Sequence, residues 1–342
     1  KTMIKTAGAA SLLAMAVASA SAVAAPLAQL GFSQHTGFNT PVFPDGATGS
    51  LIFDPTLTVP NTDTLAPAGT STSFSWRGAD NDPDRSSIAI VSYSNSSPGT
   101  PAEQVIGGSN AATPSTDLFG DPLRLVGATQ LANGVVVGGA ADADGQWNAG
   151  DWWVIDTLIQ TNNELTSRGG AISDPLWEVD ALANLRFYAD AGRTDLAYAD
   201  PQTTNRISFY ETLNTGVLGA CDSLNPLNTL CDDVFTVASS ALAPVSFVRD
   251  GYRYDISFGL LPGDSTEAGA DAGKSFVVDN GDGTLSVFTP ETRPGTSSIH
   301  VAMSYTATAV PEPSVLGLVG AGVLALGFAG RRRKQAEAKK GA

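Results

Sequence analysis

The sequence has few of the residue types that most often carry catalysis or bind metals. Its 342 residues include two cysteines, two histidines and three methionines, and only 15% of the residues are charged. It has no Gly-x-Ser-x-Gly elbow, no Cys-x-x-Cys pair and no Gly-X-Y period. A collagen is therefore excluded, and the scarcity of Leu, Lys and Glu heptads excludes a coiled coil. The 36 glycines and 20 prolines instead indicate many turns and few long helices.

Basic residues are also scarce in the middle of the chain. Residues 25–330 hold 33 of the 34 acidic residues but only 11 of the 19 basic ones, which gives them a net charge of −22. Such a surface repels nucleic acid and anionic lipid headgroups, because their recognition depends on Lys and Arg. The composition therefore excludes a nucleic-acid partner, and it favours attraction of divalent cations.

The first 24 residues have the organisation of a secretory signal peptide. Lys1 and Lys5 form a positive n-region, residues 9–21 form an apolar h-region, and residues 22–24 are the small-x-small site Ala-Val-Ala. The alternative is an N-terminal helix of the folded domain. We predict a signal helix over residues 1–24 that is cleaved after Ala24, and therefore export to an oxidising compartment.

The C-terminal region combines three features in a fixed order. A Pro-Glu-Pro motif is followed by sixteen mostly apolar residues, 315–330, which would rise about 24 Å as one helix. A basic cluster comes next and marks a cytoplasmic end. The motif is Pro311, Glu312 and Pro313, and the cluster is Arg331, Arg332, Arg333 and Lys334. We predict one C-terminal transmembrane helix with a stop-transfer cluster, and a cytoplasmic tail over residues 335–342; a permanent anchor is the alternative.

These three features resemble the PEP-CTERM sorting signal of exported bacterial proteins, over residues 310–334. The resemblance implies a Gram-negative host and a transient anchor in the inner membrane. It also implies an exosortase, a transpeptidase-like membrane enzyme, that cuts near the motif and passes the body to the cell surface or the extracellular space. Sorted proteins of this kind are associated with exopolysaccharide and biofilm matrix. The two prolines prevent a helix from continuing through the motif, so an extended strip is expected there.

Residues 25–309 form the exported body, and their pattern is that of β-strands. Apolar and polar residues alternate over residues 252–260 and 299–306, and two apolar runs in residues 276–288 flank Asn-Gly and Asp-Gly turn signals. Further strands are predicted at residues 88–93, 135–137, 153–159 and 207–210, long loops at residues 94–116 and 262–273, and either a short helix or a strand at residues 176–188. The pattern predicts an all-β domain, an antiparallel β-sandwich with long loops.

The body also resembles the THxN family of PEP-CTERM proteins. The matching segments are residues 75–78 (Ser-Trp-Arg-Gly), residues 209–214 (Phe-Tyr-Glu-Thr-Leu-Asn), Cys221 and residues 231–235. The motif that names the family falls at residues 161–164, where Asn162 and Glu164 stand in place of its histidine and asparagine. The resemblance implies an all-β exported protein and brings no known activity.

The best candidate for a metal site is an acidic turn at residues 142–151. If Gly145 is the turn glycine of a loop like that of an EF-hand, four side chains take the third, fifth, ninth and twelfth ligand places. These side chains are Asp142, Asp144, Asn148 and Asp151. The first place falls on Ala140, which cannot bind a cation, and acidic turns also form without metal because Asp and Asn bond their own backbone. Calcium is thus a candidate ligand, and no other cofactor is expected.

Candidate catalytic residues are few. His35 and His300 are the only histidines, and we expect each to be solvated or hydrogen-bonded locally. Glu211 follows an apolar strand, but the sequence identifies no partner carboxylate for it. We therefore predict a non-enzymatic exported protein of the cell surface or extracellular matrix. The alternative is a calcium- or polysaccharide-binding module at the cell surface, and a hydrolase is the third hypothesis.

Three tryptophans next to the acidic turn allow two interpretations. Trp147, Trp152 and Trp153 could stack on sugar rings if exposed, or they could be core aromatics at a sheet edge. Because side chains alternate along a strand, at least one of Trp152 and Trp153 is expected to be buried.

The two cysteines are expected to form a disulfide. Cys221 and Cys231 flank a nine-residue loop in a chain predicted to be exported to an oxidising compartment. A thiol nucleophile or a pair of metal ligands is the alternative, and no neighbouring histidine supports either.

We expect peptide mapping without reductant to recover Cys221 and Cys231 in one linked fragment. The double change Cys221→Ser, Cys231→Ser should lower the free energy of unfolding by roughly 2–4 kcal/mol, because it releases the unfolded chain from a closed loop. The compartment of the protein should not change. Stoichiometric labelling of both thiols in the native, exported protein would contradict the prediction.

Overall fold

The structure is a computed structural model, and it describes the following residues: 25–27, 29–43, 51–53, 58–61, 65–78, 85–95, 111–163, 175–210, 226–227, 232–265, 275–290, 295–310 and 322–324. Several sequence predictions lie outside these residues. They are the signal peptide (1–24), Glu211, Cys221 and Cys231, the motif at 311–313, the basic cluster at 331–334 and most of the apolar span 315–330.

The described residues form twenty strands and a 3-10 helix, Ser239–Leu242. The first ten strands are β1 (Gly31–Phe38), β2 (Leu51–Phe53), β3 (Val59–Pro60), β4 (Ser71–Gly78), β5 (Arg85–Ser94), β6 (Ala111–Ala112), β7 (Arg124–Val126), β8 (Thr129–Gln130), β9 (Val136–Val137) and β10 (Ala140–Ala141). The others are β11 (Trp152–Asn162), β12 (Trp177–Tyr188), β13 (Leu196–Ala199), β14 (Thr203–Tyr210), β15 (Asp233–Ala238), β16 (Val245–Arg249), β17 (Tyr252–Ser265), β18 (Phe276–Asp279), β19 (Thr284–Thr289) and β20 (Gly295–Ala309). Residues 322–324 are helical.

The chain divides into two compact units. The larger unit comprises Leu27–Ser246 and Asp255–Thr306, and the smaller one comprises Lys1–Pro26, Phe247–Tyr254 and Ala307–Ala342. Within the smaller unit the chain turns at Asp250 and Gly251, whose φ angles are 51° and 79°. The rings of Phe247 and Tyr254 stack with centroids 5.2 Å apart, and the N–H of Val310 donates to the carbonyl of Gly251 at 2.8 Å.

Ladders that are antiparallel, except for the short β5–β6 pair, join most strands of the larger unit into one connected sheet, and β8 and β9 form a separate two-stranded sheet. On one side of β1, strand β12 pairs with β1 and β14, and the ladder continues through β15, β19 and β18. On the other side, β1 meets β5 at Ser33 and Ser94, and β5 is followed by β11 and β20. The prediction of an antiparallel all-β body is confirmed. Apart from β8 and β9, the strands form one sheet that curls on itself, where the sequence predicted two packed sheets.

An aromatic cluster fills part of the concave side of this sheet. Trp76 of β4 lies 5.3 Å from Trp177 of β12, measured between ring centroids. Trp177 stacks on Phe209 of β14 at 5.0 Å, and Phe209 contacts Phe235 of β15 at 4.7 Å. Rings from four strands thus bury a large apolar area together, which favours a curled sheet over a flat one.

Several sequence predictions of strands are confirmed, and one loop prediction is wrong. The alternating residues 252–260 lie in β17, the predicted hairpin is β18 and β19, and residues 177–188 are a strand rather than a helix. The predicted loop at 262–273 begins too early, because β17 continues to Ser265. A Cβ atom added at Gly263 would lie 2.7 Å from the carbonyl oxygen of Ser298, so glycine allows the two strands to approach closely.

A buried carboxyl group, that of Asp156, ties together strands β1, β5 and β11. The hydroxyl of Ser92 donates to Oδ1 at 2.7 Å. Nε2 of Gln34 and the hydroxyl of Thr36 donate to Oδ2 at 2.8 and 3.1 Å. Burial raises the pKa of Asp156 to about 7, although the three hydrogen bonds oppose that rise.

A second buried carboxyl group, that of Asp233, connects β15 with β11. Nε2 of Gln160 and Nδ2 of Asn162 both donate to its Oδ2, at 3.1 and 2.8 Å. The hydroxyl of Thr289 donates to Oε1 of Gln160 at 2.7 Å. Asn162 therefore has a structural role as a hydrogen-bond donor.

We expect Asp156 to make the protein less stable as the pH rises from about 4 to about 7. Its pKa is about 7 when folded and about 3.9 when unfolded, so the folded state binds the additional proton in this interval. The free energy of unfolding should therefore fall by an amount on the order of 4 kcal/mol and then level off. Urea denaturation at a series of pH values measures this slope.

The test variant for that experiment is Asp156→Asn. Its matched control is Asp195→Asn, the same substitution at an exposed residue. Asp156→Asn should remove the pH-dependent loss, because asparagine carries no titrating proton. Asp195→Asn should follow the wild-type curve. If the slope survives in Asp156→Asn, another group causes it.

Candidate functional site

The acidic turn at residues 142–151 folds through backbone hydrogen bonds of its own. Oδ1 of Asp142 accepts the N–H of Asp144 at 2.9 Å, and Oδ1 of Asp144 accepts the N–H of Gln146 at 2.7 Å. Oδ2 of Asp151 accepts the N–H of Asn148 at 3.0 Å. Gly145 has a φ of 66°, which fits the predicted turn glycine. One carboxylate oxygen of each aspartate is thus already used by the backbone.

The remaining oxygens determine whether the turn can hold a cation. Asp142 is buried, and its Oδ2 has no hydrogen-bond partner. Burial raises the pKa of Asp151, and the charges of Asp142 and Asp144 add to that rise, while hydrogen bonds from Asn148 oppose it. Three acids therefore lie close enough to repel one another. Nevertheless, no group of three or more His, Cys, Asp or Glu side chains in the described part of the chain is arranged to hold a metal ion.

Both histidines are buried, so neither is solvated; the expected alternative of local hydrogen bonding is confirmed for His35 and is wrong for His300, whose partners are distant in sequence. Nε2 of His35 lies 3.1 Å from the hydroxyl of Ser33 on the same strand. His300 is fully buried, on the side of β20 that the sequence marks as polar. The ring contacts the hydroxyl of Thr157, its cross-strand neighbour on β11, and the carboxyl of Asp117, which lies between β6 and β7.

The contacts around His300 resemble those of a hydrolase triad, because a hydroxyl, an imidazole and a carboxyl group follow one another. The three residues are Thr157, His300 and Asp117, and a substrate cannot reach them. Thr157 Oγ1 lies 2.8 Å from Nδ1 of His300, and Nε2 of His300 lies 3.4 Å from Oδ2 of Asp117. Burial alone would raise the pKa of Asp117. The contact with His300 and the N–H groups of Asp121 and Phe119 outweigh that effect and hold the pKa below its usual value. All three side chains are at most 2% exposed, so a substrate carbonyl has no path to the hydroxyl.

The three tryptophans are core residues. Trp147, Trp152 and Trp153 are only 1%, 6% and 2% exposed. The indole N–H of Trp147 donates to the carbonyl of Asp151 at 3.1 Å, and its ring lies 4.7 Å from that of Tyr305. An exposed stacking platform for sugar rings is therefore contradicted at this place, and the tryptophans instead anchor the acidic turn to the sheet.

Sequence reasoning missed the groups that matter most inside the protein. Asp156 interrupts the apolar run of residues 152–159, and an acid in such a run is a signal for a buried carboxyl group. Gln34 and Thr36 gave no comparable signal, because β1 has neither alternation nor an apolar run. Asp117 belongs to a loop whose contact with His300 depends on residues far away in sequence.

The described residues contain no helix that is both long enough and apolar enough to span a membrane. The predicted span at residues 315–330 falls almost entirely outside them, so it stays a prediction. The same holds for the predicted signal helix.

Comparison with known proteins identifies the C-terminal segment. Residues 309–334 match the family described as the PEP-CTERM protein-sorting motif. No curated protein and no solved structure matches the chain. The resemblance of the body to the THxN family has no support from these comparisons and stays a hypothesis. The matched motif implies an exported protein that an exosortase processes and that reaches the cell surface.

Proposed function

We propose that this protein is a non-enzymatic component of the cell surface or extracellular matrix. Exosortase in the inner membrane would hold its C-terminal segment, cut near residues 311–313 and release the body outward. The match over residues 309–334 is the observation that carries the proposal. Further support comes from the net charge of −22 in residues 25–330, which keeps a secreted body soluble.

The same proposal includes an association with exopolysaccharide in a biofilm matrix. It rests on the sorting class alone, because the buried tryptophans give no stacking surface for a glycan. A hydrolase on this scaffold is the weaker alternative, since the buried arrangement around His300 offers no reachable nucleophile.

We expect the body to exist as a membrane-held precursor and as a released form that ends near Pro313. In a Gram-negative host that has an exosortase, we expect the precursor of the Glu312→Ala variant to accumulate. The substitution removes the negative charge between the two prolines, and this charge is part of the motif. Pro311→Ala with Pro313→Ala should act in the same way. Fractionation with immunoblotting, and mass spectrometry of the released C-terminus, measure both outcomes.

The matched control is Glu337→Ala, the same substitution beyond the matched segment, and it should leave processing unchanged. Recovery of the full tail on all mature extracellular protein would refute the proposal. Release of Glu312→Ala at the wild-type rate would exclude a role for the motif glutamate.

A second candidate function is calcium binding at residues 142–151. The observation in its favour is that Oδ2 of Asp142 is buried without a partner beside Asp144 and Asp151. A divalent ion would relieve the repulsion among these acids and would be coordinated by Oδ2 of Asp142 and by other carboxylate oxygens of the turn.

We expect calcium to raise the melting temperature of the full chain at constant ionic strength. At about 100 times its dissociation constant, calcium should add roughly 2.7 kcal/mol to the free energy of unfolding. Magnesium should do much less, because it retains its water ligands. Asp144→Ala should abolish the shift, and Asp282→Ala, in a separate acidic turn, should preserve it. Identical melting curves in calcium and sodium would show that the turn binds no metal.

A further inference from the structure

The concave side of the curled sheet encloses a cavity of about 350 Å³ within the larger unit. Side chains from β1, β5, β11, β12, β14, β15, β16, β17, β19 and β20 line it. Four lining residues at one end, Thr203, Ser240, Ala243 and Pro244, are exposed, which marks the place where the cavity meets solvent. The size falls within the range of small-molecule sites, which begins at about 300 Å³.

Most of the cavity wall is aliphatic. Ile90, Leu158, Ile207, Leu260 and Ile299 are representative, and each belongs to a different strand. Water gains few hydrogen bonds on such a surface, and apolar cavities of this kind bind apolar molecules. A cavity of about 150 Å³ holds one benzene ring, so this volume suits a ligand of about two rings or an aliphatic chain of similar size.

One buried polar atom of a residue that lines the cavity lacks a partner. Oε1 of Gln34 accepts no hydrogen bond, whereas Nε2 of the same side chain donates to Asp156 and to Thr36, at 2.8 and 2.9 Å. Gln34 is 4% exposed and lines the cavity. A buried acceptor without a donor is costly, so a hydrogen-bond donor placed in the cavity would relieve this cost.

The charges on the wall limit the ligand further. No Lys, Arg or His is among the described residues that line the cavity, and two acids, Asp156 and Asp200, are. A carboxylate ligand would lie near these acids with no cation to neutralise it, which is strongly unfavourable in a buried site. Free fatty acids and other anions therefore do not fit.

We infer that this cavity is a binding site for a small, neutral, apolar molecule with one hydrogen-bond donor, an alcohol or a phenol. The apolar body of the ligand occupies the aliphatic part of the cavity, and its hydroxyl donates to Oε1 of Gln34. The site is independent of the sorting signal, and neither enzymatic activity nor metal is involved.

Three matched two-ring probes test this inference by calorimetric titration of the full chain. They are 2-naphthol, which is neutral with a donor, naphthalene, which has no donor, and 2-naphthoate, which is anionic. We expect 2-naphthol to bind about tenfold more tightly than naphthalene, the effect of about one net hydrogen bond. We expect 2-naphthoate to bind at least about a hundredfold more weakly than 2-naphthol, because its charge would be buried without a partner.

Substitutions at two alanines distinguish binding in the cavity from binding on the outer surface. Ala183 lines the cavity, so Ala183→Phe places a ring in the space of the ligand and should weaken 2-naphthol binding by about tenfold or more. Ala199 is exposed on β13, so Ala199→Phe should change the affinity by less than about twofold. Gln34→Met should bring the affinities for 2-naphthol and naphthalene within about twofold of each other.

Melting curves of each variant show whether it is folded, and Ala181→Leu replaces Ala183→Phe if that variant does not fold. The inference is overturned if wild-type protein fails to bind 2-naphthol at millimolar concentration. It is also overturned if the cavity substitution leaves the affinity unchanged, or if naphthalene and 2-naphthol bind equally to the wild type. The processing experiment with Glu312→Ala is unaffected by any of these outcomes.

Discussion

The interior of this sheet depends on buried carboxyl groups that accept hydrogen bonds from amide and hydroxyl side chains of other strands. Asp156 and Asp233 each accept hydrogen bonds from an amide side chain, and in each case the donors and acceptor come from different strands. An unpaired buried charge is very unfavourable, so each strand must present its donor at the correct position. A one-residue slip would turn the donors to the other face and leave the acids unsatisfied. The contact of Asp156 with Ser92 therefore fixes the register of β5 and β11, which are paired, and the other contacts of the two acids hold β1 and β15 against β11 without a backbone ladder.

The strands that could be predicted from the sequence are those with one covered face and one solvated face. Over residues 252–260 the apolar positions recur at every second residue, and the turn of the β18–β19 hairpin carries glycines at the required places. In β1, by contrast, all eight residues are buried, including Ser33, Gln34 and His35. Both of its faces are covered, so no alternation remains in the sequence. The same reason explains why His300, on the side of β20 predicted to be polar, is fully buried.

The cavity could not be predicted, because its wall is assembled from strands that are distant in the chain. Gln34 of β1 and Asp156 of β11 are 122 residues apart. Asp156 stands out as an acid within an apolar run, but nothing in the sequence around either residue shows that the two side chains meet. The acidic turn was visible because its residues are consecutive, and its tight backbone pattern follows from short Asp and Asn side chains. The sorting motif was the easiest feature to identify, since it depends on local order alone and not on tertiary contacts.

The cavity has a consequence for the stability of the folded protein under hydrostatic pressure. A void of about 350 Å³ in the folded state is eliminated on unfolding, when solvent reaches both of its walls. The volume of the system then decreases, so hydrostatic pressure shifts the equilibrium towards the unfolded chain. A small molecule that fills the cavity would reduce this change in volume, so its binding would make the folded protein less sensitive to pressure.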